Sequence, residues 1–345
     1  MPTSKSSTIS TGKLVALAIG IGLLLVVSLI MGDVYIPVGE VFSIITGNGE
    51  VDSTSEMIVL KLRLPRIILA LVIGAGLGAA GAGYQGMFRN PLADPFVIGA
   101  SSGAALGAAI AIILNWGETV YGWGAIPISA MGGALLAVGI VYGIASVGGR
   151  VPTVSLLLAG IAVSSIFSSI VALIMFLNNE KLVTITSWLM GSLTGSNWDI
   201  VWPSAFIISC CTLLLWFFSR GLDVLTFGEE SAAALGFQMN RIRLIVILLA
   251  TLMTATAVAA GGIIGFIGLL APHGARMLFG ALHARVIPAS ALIGGGLLLL
   301  ADDVSRSVVE SGELPVGVIC ALLGSPFFLY LLKTRQYSLD AEAGG

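Results

Sequence analysis

The chain has 345 residues, of which 57% are hydrophobic and only 10% charged. A soluble domain carries roughly a quarter charged residues, so this composition cannot cover a globule and excludes a soluble two-domain protein. Sixteen basic and eighteen acidic residues leave a net charge of −2, which implies no polyanion-binding surface and no nucleic-acid partner.

A spanning helix needs about 20 mostly apolar residues, because lipid offers the backbone no hydrogen-bond partner. Ten runs meet this need in chain order: 14–31, 65–88, 96–114, 124–146, 153–177, 200–219, 242–260, 263–280, 286–302 and 314–333. The first follows Lys5 and Lys13 as a signal peptide would. It lacks a small-x-small cleavage site and is followed by further spans, so it reads as a retained helix. The seventh and eighth runs touch at Ala259-Ala260-Gly261-Gly262. The expectation is an all-α integral membrane protein of about ten transmembrane helices, one domain over 1–345, with the lipid bilayer as its solvent.

Ten spans put both termini on one side. With that side taken as the cytoplasm, Lys5, Lys13, Arg89, Arg150, Arg220, Arg241, Arg243, Arg276, Arg285, Lys333 and Arg335 fall inside. Lys61, Arg63, Arg66, Lys181 and Arg306 fall outside. This excess inside satisfies the positive-inside rule and makes both termini cytoplasmic. Lys61, Arg63 and Arg66 cluster on the outer side. They serve either as helix anchors at the interface or as a docking surface for an acidic partner.

The span centres carry almost no ionisable groups, and 153–177 has none. A charge at mid-membrane costs about 2.5–3.5 kcal/mol on insertion scales and usually marks a working part of a proton-driven carrier. An ion-coupled secondary transporter is therefore the weaker reading, although backbone carbonyls can bind sodium. No G-x-x-x-x-G-K-[ST] loop is present, so if ATP powers transport, another subunit binds it.

Neither catalytic residues nor a metal site is expected. Gly76-Leu77-Gly78-Ala79-Ala80-Gly81 matches G-x-G-x-x-G but lies in an apolar helix with no strand before it. Gly99-Ala100-Ser101-Ser102-Gly103 matches G-x-S-x-G, yet a nucleophilic serine needs a base, and His273 and His283 lie near the inner helix ends. Cys210, Cys211 and Cys320 sit in apolar runs without metal or redox spacing. The 45 glycines, with Gly74 and Gly78 in one row and Gly99, Gly103 and Gly107 in another, read as close helix-packing positions.

Between spans two and three, Gln85-Gly86-Met87-Phe88-Arg89-Asn90-Pro91-Leu92-Ala93-Asp94-Pro95 breaks the apolar pattern, and its prolines end regular helix. Three further stretches stand out: Leu62-Arg63-Leu64-Pro65-Arg66; Gly262-Ile263-Ile264-Gly265-Phe266-Ile267-Gly268-Leu269-Leu270-Ala271-Pro272-His273 with Arg276; and Glu313-Leu314-Pro315-Val316-Gly317 with Gly324-Ser325-Pro326. On these four stretches the chain resembles the FecCD-type permease subunits of ABC importers for iron–siderophore complexes, haem and cobalamin.

The resemblance implies a ten-helix permease in a bacterial or archaeal plasma membrane. It pairs with a second permease, identical or closely related, and the substrate pathway runs along the dimer axis. It works with two ABC ATPase subunits and an extracytoplasmic substrate-binding protein. It holds no cofactor of its own, since ATP binds to the partner subunit. The cargo expected first is a ferric siderophore, with haem, cobalamin and oxyanions sharing the motifs.

The loop from 220 to 241 contains a helix-favouring stretch at 226–237, with Glu229 and Glu230 at its start and Gly236 suited to a left-handed cap. By resemblance it is the cytoplasmic coupling helix that rests in the ATPase cleft, on Gly228, Glu229, Ser231, Ala232, Leu235 and Gly236. Arg63, Arg66 and Arg306 match arginines that meet the binding protein in the cobalamin permeases, and Asn90 and Leu92 match an inner gate there, with Thr153 beside them. The resemblance also sets 153–177 against the dimer axis. Its Ser164, Ser165, Ser168 and Ser169 then either line the pathway or bond their own helix carbonyls.

Overall fold

The structure is a computed structural model. It describes residues 5–343 apart from 33, 35, 48–51, 117–118, 121–122, 147–150, 227–237 and 310–311.

Helix α1 (Lys5–Ile30) is followed by two short helices, α2 (Val38–Thr46) and α3 (Ser53–Met57). A single π-helical turn, Ile58–Arg63, joins α3 to α4 (Leu64–Phe88). Pro65 explains the wide turn: it has no N–H to donate, and its ring displaces the carbonyl four residues back. A β-hairpin of Thr119–Val120 paired with Trp123–Gly124 connects α5 (Ala100–Ile113) to α6 (Ala125–Ala145). Then come α7 (Thr153–Leu177), the short α8 (Leu182–Leu189), α9 (Trp198–Phe217) and α10 (Ser219–Thr226). The described chain closes with α11 (Met239–Gly261), α12 (Ile267–Phe279), α13 (His283–Ser307) and α14 (Val316–Ala343).

Among the described residues, seven helices are long and apolar enough to cross a membrane. They cover the expected spans at 14–31, 65–88, 124–146, 153–177, 200–219, 242–260 and 286–302. The span expected at 314–333 is a shorter apolar stretch, Val316–Tyr330, within α14. The spans expected at 96–114 and 263–280 are corrected to α5 and α12, of 14 and 13 residues. At 1.5 Å per residue they are about 20 Å long, against roughly 30 Å of hydrocarbon. Each is entered through non-helical backbone, 89–99 and 262–266. Such backbone is tolerated at membrane depth only where protein covers it. Pro95, Val97 and Ile98 are covered in this way: a side chain at Gly268 would strike Pro95, and one at Gly160 would strike the backbone at Val97 and Ile98.

Helix α4 is the axis of the fold, and every residue from Gly76 to Phe88 is buried. It packs most extensively on α13, and also on α11, α12 and α9. A Cβ at Gly74 would collide with the Gly294 carbonyl, one at Gly78 with the Ser290 carbonyl, and one at Gly81 with the Gly268 carbonyl. Close backbone approach is what draws helices together in lipid, where apolar burial alone gives no net drive. Gly103 and Gly107 play the same part between α5 and α6, against Gly133 and Ser129. Gly99 departs from that row: it starts α5 with φ 90°.

The junction of α11 and α12 shows why the Gly262 to His273 stretch is glycine-rich. Gly191 and Gly262 both have φ 73° and sit back to back, and the Ser192 N–H donates to the Gly261 carbonyl at 2.9 Å. Gly317, at the start of α14, abuts the carbonyls of Met190 and Ile263. Phe266 takes the left-handed conformation with φ 67°, and Gly324 leaves room for its ring. Three chain segments thus cross with backbone touching backbone.

Candidate functional site

The chemistry-bearing side chains collect at the two ends of the bundle, called here the Arg66 end and the His283 end. At the Arg66 end, Arg63, Arg66 and Arg306 line one cavity of about 340 Å³ with Gly32 and Glu313. The structure therefore brings the three sequence-predicted arginines together, and each is already engaged within the chain. The Arg63 side chain is turned inward and buried. It donates to the Leu29 carbonyl at 2.8 Å and to that of Val34, covering the open end of α1.

Arg66 forks onto Asp302, with Nε and NH2 each about 3 Å from the carboxylate, and reaches Glu313 at 2.7 Å. Arg306 meets Asp302 at 3.3 Å and also Asp303. Asp302 is fully buried, so its charge depends on these arginines. Burial would raise the Glu313 carboxyl. Hydrogen bonds from Arg66 and from the Thr194 hydroxyl, with the charges of Arg66 and Arg306, outweigh it and hold Glu313 below the usual range.

The acidic half of this cluster was open to sequence reasoning. Asp302 and Asp303 stand four and three residues before Arg306, the spacing that pairs charges on a helix. The long-range partner of Arg66 carries no such local signal.

At the His283 end, α4 closes with Arg89 in the left-handed conformation at φ 51°, and the Asn90 N–H returns to the Gln85 carbonyl at 3.2 Å. This is a Schellman-type close with arginine where glycine is usual. The Asn90 side chain accepts the Leu92 N–H at 2.9 Å, forming a local turn that leaves Asn90 and Leu92 exposed. Thr153 opens α7 at the same end, half-buried. Burial raises the Asp94 carboxyl to about 6, although the Phe96 N–H donates to it at 2.8 Å.

Behind this turn the Gln85 amide N–H groups reach the carbonyls of Gly268 and Leu269 at 3.3 and 3.4 Å. Arg276 donates to the Gln85 side-chain oxygen. Two quoted motifs, one in α4 and one in α12, are thereby tied to each other. Lys13 donates to the Leu278 carbonyl at 3.0 Å, which sets the start of α1 at this end as well.

Helix α7 turns most of its surface outward, and Ser165, Ser168 and Ser169 lie on that exposed face. Ser165 and Ser169 bond their own helix, to the carbonyls of Ile161 and Ser165 at 2.9 and 2.8 Å. Ser164 is half-buried, facing Gly99. The expected coupling helix, with Gly228, Glu229, Ser231, Ala232, Leu235 and Gly236, lies outside the described residues. Its approach is described: α10 runs to Thr226, and Asp223 within it meets His283 of α13. Sequence reading left that pair unassigned. Among the described residues no group of histidine, cysteine and carboxylates could hold a metal ion.

A buried helical bundle with two broken spans, charge confined to its ends and an apolar outer face is the build of a membrane permease. The chain belongs to the FecCD transport family, whose profile matches residues 20–334. It is 42% identical over 286 residues to the cobalamin import system permease BtuC of Halobacterium salinarum, covering 83% of this chain and 76% of that one. It is 41% identical over 323 residues to the ferric-citrate import system permease YfmE of Bacillus subtilis, covering 92% and 93%. A solved structure of a metal-chelate type ABC transporter in an inward-facing conformation shares the fold with a TM-score of 0.83. It is 33% identical, covering 94% of this chain and 99% of that one. The chain is thus an ABC importer permease, a multi-pass protein of the plasma membrane.

Proposed function

We propose that this permease forms half of a pathway for an iron complex, a ferric siderophore first, with haem or cobalamin as the competing cargoes. A binding protein delivers the complex and a separate ATPase subunit supplies the energy. The observation that carries the reading is the family match across nearly the whole bundle. The ferric-citrate permease, matched over 92% of this chain, favours an iron chelate. Cobalamin and hemin permeases at 42% and 38% identity keep those cargoes in contention.

In this reading the His283 end faces the cytoplasm and both termini lie there. The segment 226–237, through Gly228, Glu229, Ser231, Ala232, Leu235 and Gly236, couples to the ATPase. Asn90, Leu92 and Thr153 close the pathway on the inside. The exposed face of α7, with Ser164, Ser165, Ser168 and Ser169, lines it opposite a second permease. Serines that have satisfied their own hydroxyls offer a cargo only weak polar contacts, which suits passage without a tight site midway.

The arginine cavity at the other end receives the binding protein. Arg66 and Arg306 are the residues to vary there: both are paired with carboxylates of the chain, whereas Arg63 is turned inward onto backbone carbonyls. Ion pairs at such a rim fix register and speed encounter more than they add affinity.

The test is uptake in proteoliposomes holding the permease, the ATPase subunit and the binding protein loaded with a radioactive ferric siderophore. Accumulation should require all three and ATP. Uptake by the permease alone under an ion gradient would establish a secondary carrier instead. Preference of the binding protein for haem or cobalamin would reassign the cargo and leave the mechanism intact.

A further inference from the structure

A cavity of about 880 Å³ at the His283 end is not used by any step above. Its lining comes from the end of α9 (Trp216, Phe217), the start of α10 (Arg220, Gly221), the start of α11 (Arg241) and Ala284 of α13. We propose that it is a binding site for the headgroup of an anionic phospholipid. The proposal rests on the membrane location of the chain and is independent of the cargo.

Charge is the first argument. Arg220 and Arg241 are exposed, sit on two different helices and open into one cavity. Among the described residues neither guanidinium has a hydrogen-bond or ion-pair partner. Arg63, Arg66, Arg276 and Arg306, in contrast, are each bonded inside the chain. A guanidinium presents donors in a fork that matches phosphate oxygens. The first turns of α10 and α11 add to this, since both helices begin at the cavity with the positive end of the helix dipole.

The apolar wall decides which anion. Trp216 and Phe217 end an outward-facing apolar span, at 49% and 76% exposure, and continue the apolar surface of Phe206, Leu213 and Leu214 on the same helix. The Trp216 indole N–H donates to the Ala284 carbonyl at 2.9 Å, which holds the ring at the edge of the cavity. Aromatic rings of this kind sit at headgroup depth. A soluble phosphate would satisfy the arginines and leave the aromatic wall without an occupant. A phospholipid satisfies both, with its phosphate at the arginines and the upper part of one acyl chain along the rings. Basic pockets between spanning helices are where such headgroups bind. Because α10 forms one side of the cavity, an occupied site would hold the approach to segment 227–237 against α11 and α13.

The experiment is native mass spectrometry of the purified permease with phosphatidylglycerol or phosphatidylcholine added at equal concentration, on wild type, on R220Q/R241Q and on K333Q. Lys333 is an exposed charge on α14 and controls for general electrostatics. Wild type and K333Q should retain phosphatidylglycerol over phosphatidylcholine, and R220Q/R241Q should bind it about tenfold more weakly. R220K/R241K should keep most of the binding, and a matched elution profile and melting temperature show that each variant is folded. Equal retention of the two lipids, or unchanged binding in R220Q/R241Q, overturns the proposal. Displacement of the lipid by millimolar inorganic phosphate would assign the site to a soluble anion and overturn it too. So would an R220Q/R241Q variant that keeps its lipid but loses the ATPase subunit. Siderophore uptake is measured separately, so a failure here leaves the transport reading standing.

Discussion

Asp223 on α10 accepts two hydrogen bonds from His283 at the start of α13, one from the backbone N–H at 2.9 Å and one from ring Nδ1 at 2.6 Å. The same carboxylate oxygen takes both, so the ring and the helix start are fixed together. Helix α13 has 25 residues, about 37 Å at 1.5 Å per residue, and its far end carries Asp302 and Asp303. One helix therefore runs from Asp223, near the end of α10, to the arginine cavity.

The first prediction concerns that link. Asp223→Ala removes both acceptor contacts and frees α10 from α13. A lost hydrogen bond of this kind is worth about 1 kcal/mol, or roughly fivefold in an equilibrium. We expect cargo uptake per ATP hydrolysed to fall about fivefold, with ATPase activity of the complex largely retained. Measuring uptake and hydrolysis on the same proteoliposomes checks this. An unchanged ratio of the two rates would show that the pair transmits nothing.

The arginine cluster makes a prediction on stability. Removing one partner of a buried ion pair leaves the other charge uncompensated, at a cost of about 3–5 kcal/mol. Arg66→Ala should therefore lower the melting temperature in detergent by several degrees. The double variant Arg66→Met, Asp302→Leu should recover part of the loss, because Asp302 no longer stands buried without Arg66 while Arg306 keeps Asp303 as its partner. If the single variant melts like wild type, the pair does not brace the fold.

Glu313 sets a pH dependence on the loop before α14. Its folded pKa lies below the ordinary value, so the native ion pair adds stability that is fully present above about pH 4.5. That contribution is lost as pH falls through the lowered folded value. Glu313→Gln should flatten the acid side of the stability curve and lower the plateau at neutral pH by about 1 kcal/mol. A wild-type curve that overlays the variant down to pH 3 would contradict this.

Asp94 acts in the opposite sense. Its folded pKa is raised to about 6, so the neutral acid is the form that folding favours. The contribution is complete below the ordinary value near 3.8 and is lost as pH rises through 6. Asp94→Asn should make the 89–99 turn more resistant to hydrogen exchange at pH 7.5 and leave it nearly unchanged at pH 4. Greater exchange in the variant at pH 7.5 would mean that the charged form is the one the fold needs.

Glycine packing can be tested with two alanines. At Gly78 an added Cβ meets the Ser290 carbonyl of α13, whereas at Gly139 it meets nothing within 4 Å. Gly78→Ala should cost at least the ~1–3 kcal/mol of an overpacked core. Gly139→Ala should be neutral or slightly stabilising, since alanine favours helix over glycine by up to about 1 kcal/mol. Comparable melting temperatures for the two variants would refute the packing role.

Much of this was legible in the chain because lipid imposes length and apolarity on every span. For that reason seven of the ten runs coincide, among the described residues, with helices long and apolar enough to cross a membrane. The runs at 96–114 and 263–280 misled because hydropathy counts apolar residues and is blind to Gly99, Gly262 and Phe266 leaving helical geometry. Their glycines and prolines were visible, but only tertiary contact shows that Pro95, Val97, Ile98 and the 262–266 stretch lie against other chain segments. Of the candidate site, the arginines were found and their partners were not. Arg66 and Asp302 are 236 residues apart, and no local pattern joins residues at that separation. The link from Asp223 to His283 escaped for the same reason. The serines of α7 were open to two readings, and for Ser165 and Ser169 the self-bonded one is what the geometry displays.

The crossing of residues 190–191, 261–263 and 317 has a consequence for how such a protein diversifies. Where three main chains lie against each other, Gly191, Gly262 and Gly317 admit no larger residue, so mutation there cannot retune the joint without dismantling it. It is a joint whose spacing the backbone itself sets. Variation is left to the outward-facing positions, those of α7 among them, and two proteins that differ there can keep the same joint.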